Sequence, residues 1–295
     1  MHKAGISNQL FIPIKPVTKT KKSMERELPI INLEGNDFIV DVNKLELIEK
    51  ANPRNTILLE DMSDIEEGYT IRFSKEERNV PSKFFAEVVT VRIPEFVKMD
   101  PVGMASKYNI SDITGKTDFD LMVDLEAFDK RVNQGMLPTV DIAGHLFYVD
   151  LRMDMLRPHD DFLSRGIVFD EIDNYFSEEV NAYIIPYDPK TREFQELDYE
   201  NITEFPTDLI AVQFPFQKEL DPIGWNRMIG CDIKQDLKVI GIKSHFDAQT
   251  IPWEKTGLEE VIKVNLAKQD KLEEKRKQAV IPVPPNDKKK KGRKI

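Results

Sequence analysis

The chain has one cysteine, Cys231, in 295 residues, so no internal disulfide is possible and a cysteine-rich metal site is excluded. That usage points to a reducing, cytoplasmic setting. No run approaches the roughly 20 consecutive apolar residues of a membrane-spanning helix. The opening MHKAGISNQLFIPIKPVTKTKK has no apolar h-region, so neither a signal peptide nor a membrane partner is expected. Glycine is scarce, 13 in all, and none falls in G-x-x-x-x-G-K-[ST] or G-x-G-x-x-G. The phosphate-cradling loops that those spacings build are therefore not expected. H-E-x-x-H and G-x-S-x-G are absent as well, which removes the familiar zinc-protease and serine-hydrolase arrangements. Zinc-finger spacing, an RNP-type aromatic motif and a clear helix-turn-helix are missing, so base-specific readout is not supported. The sequence gives no sign of a cofactor or of a small-molecule ligand.

What the chain has in quantity is charge and apolar residues, 32% and 40% of the total. That is enough for a core under a heavily solvated surface. The net charge of −10 is uneven. Residues 1–27 carry six Lys/Arg against two Glu, and residues 263–295 carry twelve basic residues against four acidic. The body between them, 28–262, is left with 22 excess negative charges. An acidic body repels nucleic acid, and a basic end attracts it.

The sequence also contains itself twice. Residues 28–42, LPIINLEGNDFIVDV, match 137–151, LPTVDIAGHLFYVDL, at six of fifteen positions, where random pairing gives roughly one. The likeness resumes in order as ILLEDM (57–62) with IVFDEI (167–172), Tyr69–Phe73 with Tyr183–Tyr187, and VRIPEFVKMDPVG (91–103) with VQFPFQKELDPIG (212–224). The offset only grows, from 109 through 110 and 114 to 121. Insertions that fall between matched blocks fall where loops tolerate them. Each copy opens with apolar residues at alternate positions, Ile31, Leu33, Phe38, Val40 and Val42 in the first, which is the period of half-buried strands. A shared glycine, Gly35 or Gly144, sits where a tight hairpin needs positive φ. Each copy ends in Asp-Pro-x-Gly, Asp100–Gly103 and Asp221–Gly224, with Asp suited to an N-cap and Pro to the first helical position.

The LPTVDIAGHLFYVD hairpin and the KELDPIG block resemble uncharacterised tandem-repeat proteins encoded on mobile elements of gut Bacteroidetes. The resemblance covers most of 28–230 and implies no activity.

The expected organisation is a basic, flexible arm (1–27), a first module (28–110), a connector helix (111–136), a second module (137–230), a strand or hairpin followed by a C-terminal helix (231–278), and a disordered Pro/Lys-rich tail (279–295). Leu121, Leu125, Phe128 and Val132 give the connector one apolar stripe. Thr117 with Asp120, and Thr256 with Glu259, have capping-box spacing. The fold class is β-rich α+β: two tandem homologous small β modules with a bridging helix and a C-terminal helix.

Candidate sites are few. His159, Asp160 and Asp161 combine metal-ligating groups in the most polar stretch, although a polar loop with turn-forming Asp and local ion pairs accounts for them better. Asp41 and Asp150 recur at one repeat position and suit a strand-end Asp bonding the next turn better than a catalytic pair. Asp100 and Asp221 are explained as caps. Tyr148, Trp225, Tyr183 and Trp253 are aromatic residues of the kind that anchor interfaces or fill cores. Lys288, Lys289, Lys290, Lys291, Arg293 and Lys294 form a tail suited to phosphate contacts. The two copies share strand residues, turn glycines and caps, but no reactive groups. The function expected is therefore a non-enzymatic intracellular binding or adaptor protein, with a protein partner or a second copy on its modules. The alternatives are an accessory DNA- or RNA-binding protein acting through the tail, and a metal-dependent enzyme using His159, Asp160 and Asp161.

Overall fold

The hairpin turns set the pattern of both modules. In a computed structural model, which describes residues 26–279 apart from Phe84 and Phe162 and side chains as far as Lys275, Glu34 and Gly35 have φ of 49° and 88°, and Ala143 and Gly144 have 54° and 84°. Two successive left-handed residues make a hairpin turn whose twist matches that of its strands. The expectations for the arm before residue 26 and for the tail after residue 279, Lys288 to Lys294 included, lie outside the described residues.

The first module contains β1 (Ile30–Leu33), β2 (Asn36–Asp41), β3 (Glu46–Glu49) and β4 (Thr56–Leu58), an antiparallel sheet in chain order. A second sheet follows, β5 (Ser63–Ile65), β6 (Gly68–Phe73) and β7 (Val89–Ile93), and then α1 (Phe96–Met99) and α2 (Pro101–Lys107). Phe38, Val40, Leu47, Ile57, Tyr69, Ile71 and Phe73 point inward and are fully buried between the layers.

The connector is two helices rather than one, α3 (Asp118–Met122) and α4 (Leu125–Val132). Val123 is extended, and Asp124 starts a new helix by accepting the Glu126 and Ala127 N–H groups at 3.0 Å each. The Thr117–Asp120 box forms as expected, at the head of α3.

The second module repeats the layout. It has β8 (Thr139–Ile142), β9 (His145–Asp150), β10 (Met155–Pro158) and β11 (Ile167–Val168), then α5 (Phe169–Ile172) and β12 (Phe176–Ser177). β13 (Ala182–Asp188), β14 (Glu193–Phe194), β15 (Ile210–Pro215), α6 (Gln217–Leu220) and α7 (Pro222–Ile229) complete it. The first sheet again runs in chain order, and β13 again pairs with the strand that leads into the helices.

The 236–253 region does not form a self-paired hairpin. It contains α8 (Leu237–Ile240) and two short strands, β16 (His245–Asp247) and β17 (Gln249–Ile251), each paired with a different sheet of the second module. α9 (Leu258–Ala279) follows. Glu259 does not complete a capping box: the Thr256 hydroxyl donates to the Trp253 carbonyl at 2.7 Å and accepts from the Leu258 N–H at 3.4 Å. Leu258 and Ile262 are buried, and Leu266 and Leu272 are exposed. A third core ties the connector to the second half: Val123 and Ala127 pack with Ile223, Leu237 and Ile242. Lys238 reaches back to the first module, 2.7 Å from the Asp64 carboxylate and over the Tyr69 ring at 4.2 Å. The protein is a mixed α+β fold. Among the described residues no helix is long and apolar enough to cross a membrane.

Candidate anion-binding cleft

Strand alternation builds the site. On β9, Phe147 and Val149 face the core and are fully buried, so Tyr148 faces outward. Thr139 on β8 and Arg157 on β10 lie directly opposite Tyr148, and His245 on β16 lies opposite Thr139. One cross-strand row, His245–Thr139–Tyr148–Arg157, therefore crosses the outer face of the sheet. His159, just past β10, donates its backbone N–H to the Leu146 carbonyl at 2.9 Å. Its ring lies 4.9 Å from the Tyr148 ring, tilted by 32°. The Arg157 guanidinium lies over the same ring at 4.9 Å, a favourable place for a cation.

This face floors a cleft of about 590 Å³. Lys130 and Arg131 at the end of α4, residues 135–138 and residues 242–244 complete its lining. The lining includes Lys130, Arg131, Arg157, Lys243, His159 and His245, and no Asp or Glu. Two of these cations are committed elsewhere. Arg131 grips Asp221 at 2.7 Å, and Lys130 pairs with the exposed Glu126 at 2.6 Å. Arg157 is held loosely, with its Nε 3.6 Å from Asp150. Lys243 lies 5.9 Å from the Phe246 ring centroid and joins no ion pair among the described residues. Cations lining a cleft with an aromatic floor suit a small anion. The first module has nothing comparable, because Ile30, Ile39 and Ile48 fill the matching row.

Thr139, His245 and Asp247 follow one another as a nucleophile, base and orienting acid would. Thr139 Oγ1 is 2.9 Å from His245 Nδ1, and His245 Nε2 is 3.4 Å from Asp247. The Thr139 hydroxyl is also 3.3 Å from the Ser244 carbonyl, and the Asp247 side chain that would orient the imidazole is 85% exposed to competing water.

The sequence-derived candidates land in different places. Tyr148 and His159 belong to the cleft. Asp160 and Asp161 instead face Arg192, at 3.4 and 3.6 Å, and Asp161 accepts the Leu163 N–H at 3.0 Å. That backbone bond, opposed by a little desolvation, holds the Asp161 carboxyl below its usual range. No group of three His, Cys, Asp or Glu able to hold a metal occurs among the described residues. Trp225 is half-buried, packed edge-on against Phe216 at 5.2 Å. Trp253 borders a second cavity, of about 830 Å³, with Glu171, Glu179, Glu196, Tyr175 and Tyr199. Asp41 accepts the Asn43 N–H at 2.9 Å and Asp150 the Met153 N–H at 3.3 Å, each bonding the turn after its strand. Sequence reasoning misses Lys130, Arg131, Lys243 and His245. The outward positions of β9 and β10 are readable from period two, but the walls come from segments more than a hundred residues apart in sequence.

No family model, curated protein or solved structure matches this chain.

Proposed function

We propose that the chain is a non-enzymatic binding protein made of a duplicated β module, in which the second module captures a compact anionic group, phosphate or carboxylate, presented by a partner. The observation that carries this reading is the Tyr148–Arg157–His159–Lys243 cleft, free of lining carboxylates on a body with 22 excess negative charges. The acidic surroundings favour a compact anion, because a long polyanion would have to cross repelling surface on either side. Duplication is supported by the parallel order of elements and by the paired turns and caps. Divergence is supported by the exchange of an isoleucine row for Thr139, Tyr148 and Arg157. The single cysteine supports a cytoplasmic location.

Calorimetric titration of the full chain with inorganic phosphate, citrate and a short single-stranded oligonucleotide tests the proposal. Binding of phosphate or citrate with a Kd around 1 mM or tighter, weakened about tenfold by the double substitution Arg157→Ala and Lys243→Ala, is the expected result. No binding of either small anion, or equal binding by the variant, contradicts it. So does a preference for the oligonucleotide that survives the double substitution.

A further inference from the structure

In the second module one extended strap closes both sheets. Residues 245–251 run first as β16, parallel to β8, with Phe246 beside Val140. After Ala248 the same stretch runs as β17, antiparallel to β15, with Gln249 beside Gln213 and Thr250 beside Val212. Phe246 and Ala248 pack against the second core. Under this cover Val140 and Val212 are 0% and 1% exposed.

The first module presents the same two edges without a strap. Its sheets end at β1 and β7, and no strand among the described residues pairs with the outer edge of either. The burial differs accordingly. Ile31, in the place of Val140, and Val91, in the place of Val212, are only half-buried, and Ile30 is 44% exposed. The described residues supply no strap here: α3 leads into α4 and the second module, whereas α8, its counterpart in order, leads into β16. Unpaired edge N–H and C=O groups beside a half-open apolar seam are a template for an added strand.

We infer that β1 and β7 form a seat for an extended strand of a different protein, running parallel to β1 and antiparallel to β7. Its residues matching Phe246 and Ala248 are apolar. Its residue matching Gln249 is acidic, because the neighbour there is Arg92 in the place of Gln213. Arg92 is exposed and joins no ion pair among the described residues. This seat is separate from the cleft of the second module and does not depend on it.

The test uses the full chain and a synthetic peptide of the strap sequence, KSHFDAQTIPW (243–253), with two further peptides carrying Gln249→Glu and Gln249→Lys. The second module already holds its own strap, so the open seat is in the first. The expected result is slowed amide exchange over residues 30–33 and 89–93. Affinity falls in the order Glu, Gln, Lys, in steps of about two- to fivefold, as a cross-strand charge pair produces. Arg92→Glu, an exposed change compatible with folding, inverts that order. Three results overturn the inference: no slowing at either strand, slowing confined to residues 139–142 and 210–215, or an order that Arg92→Glu leaves unchanged. Slowing at β1 and β7 that grows with chain concentration and needs no peptide assigns the seat to a second copy, and also overturns it.

Discussion

The Asp221 carboxylate accepts the Gly224 N–H at 2.9 Å and is held by the Arg131 guanidinium through three contacts of 2.7–3.1 Å. Asp100 does the same with Gly103 at 2.9 Å and Arg26. This arrangement explains why glycine is the fourth residue of Asp-Pro-x-Gly. A β-carbon at Gly103 or Gly224 would overlap the clamped carboxylate. The Asp and the Pro are legible in the sequence as a cap. The arginines are not, because they lie 74 and 90 residues away in sequence. The two clamps differ in burial. The Arg131 side chain is 11% exposed and that of Arg26 39%. Arg131→Met leaves a buried charge unpaired and is expected to cost about 3–5 kcal/mol. Arg26→Ala also strands a buried carboxylate, but it removes a more solvated arginine and is expected to cost less, about 1–3 kcal/mol. Urea denaturation of both variants checks the difference. Burial alone would raise the Asp100 carboxyl, but Arg26 and the Gly103 N–H bring it below the usual carboxylate range. The Arg26 contribution is therefore fully present above that range and disappears as pH falls through the depressed value. Denaturation from pH 7 to pH 2 should show Arg26→Ala and the parent chain converging only at the acid end.

At the scale of elements, the hairpins are the most legible feature. Alternation places the strands, and one glycine places each turn. At Gly144 a β-carbon would meet nothing within 4 Å, so the cost of Gly144→Ala is conformational alone. It is expected to be about 1–2 kcal/mol, read as a shift of the urea midpoint with an unchanged slope. A loss near zero would show that the turn relaxes to another geometry. The connector reads as one helix in the sequence because Leu121, Leu125, Phe128 and Val132 share one period. The break is hidden there, because Asp124 serves equally as a solvent-facing helical residue or as a new cap. The structure uses it as a cap and leaves Leu125 43% exposed. β16 and β17 are legible as extended segments only. Their partners, β8 and β15, lie far back in the chain, and no local pattern specifies register at that distance.

At the scale of the whole molecule, the core of Val123, Ala127, Ile223, Leu237 and Ile242 ties the connector to the second half, while Leu121 of α3 packs in the first core and Lys238 is pinned to Asp64 and Tyr69. Ile223 is fully buried in this joint. Ile223→Ala is expected to cost about 2–5 kcal/mol and to speed amide exchange in both modules. Faster exchange in the second module alone would show that the joint does not couple them. The internal sequence likeness and the charge segregation are legible in the sequence itself, since both are properties of residue order. The cleft is not, because it forms only where the connector, the second module and the strap segment meet. The central proposal is that binding chemistry resides on the second module alone. Backbone NMR of the full chain titrated with inorganic phosphate tests it most directly. The account predicts saturable shifts at Tyr148, Arg157, His159, Lys243 and His245, with Ile30, Ile39 and Ile48 unmoved. Equal shifts in both rows, or none at the cleft, would contradict it.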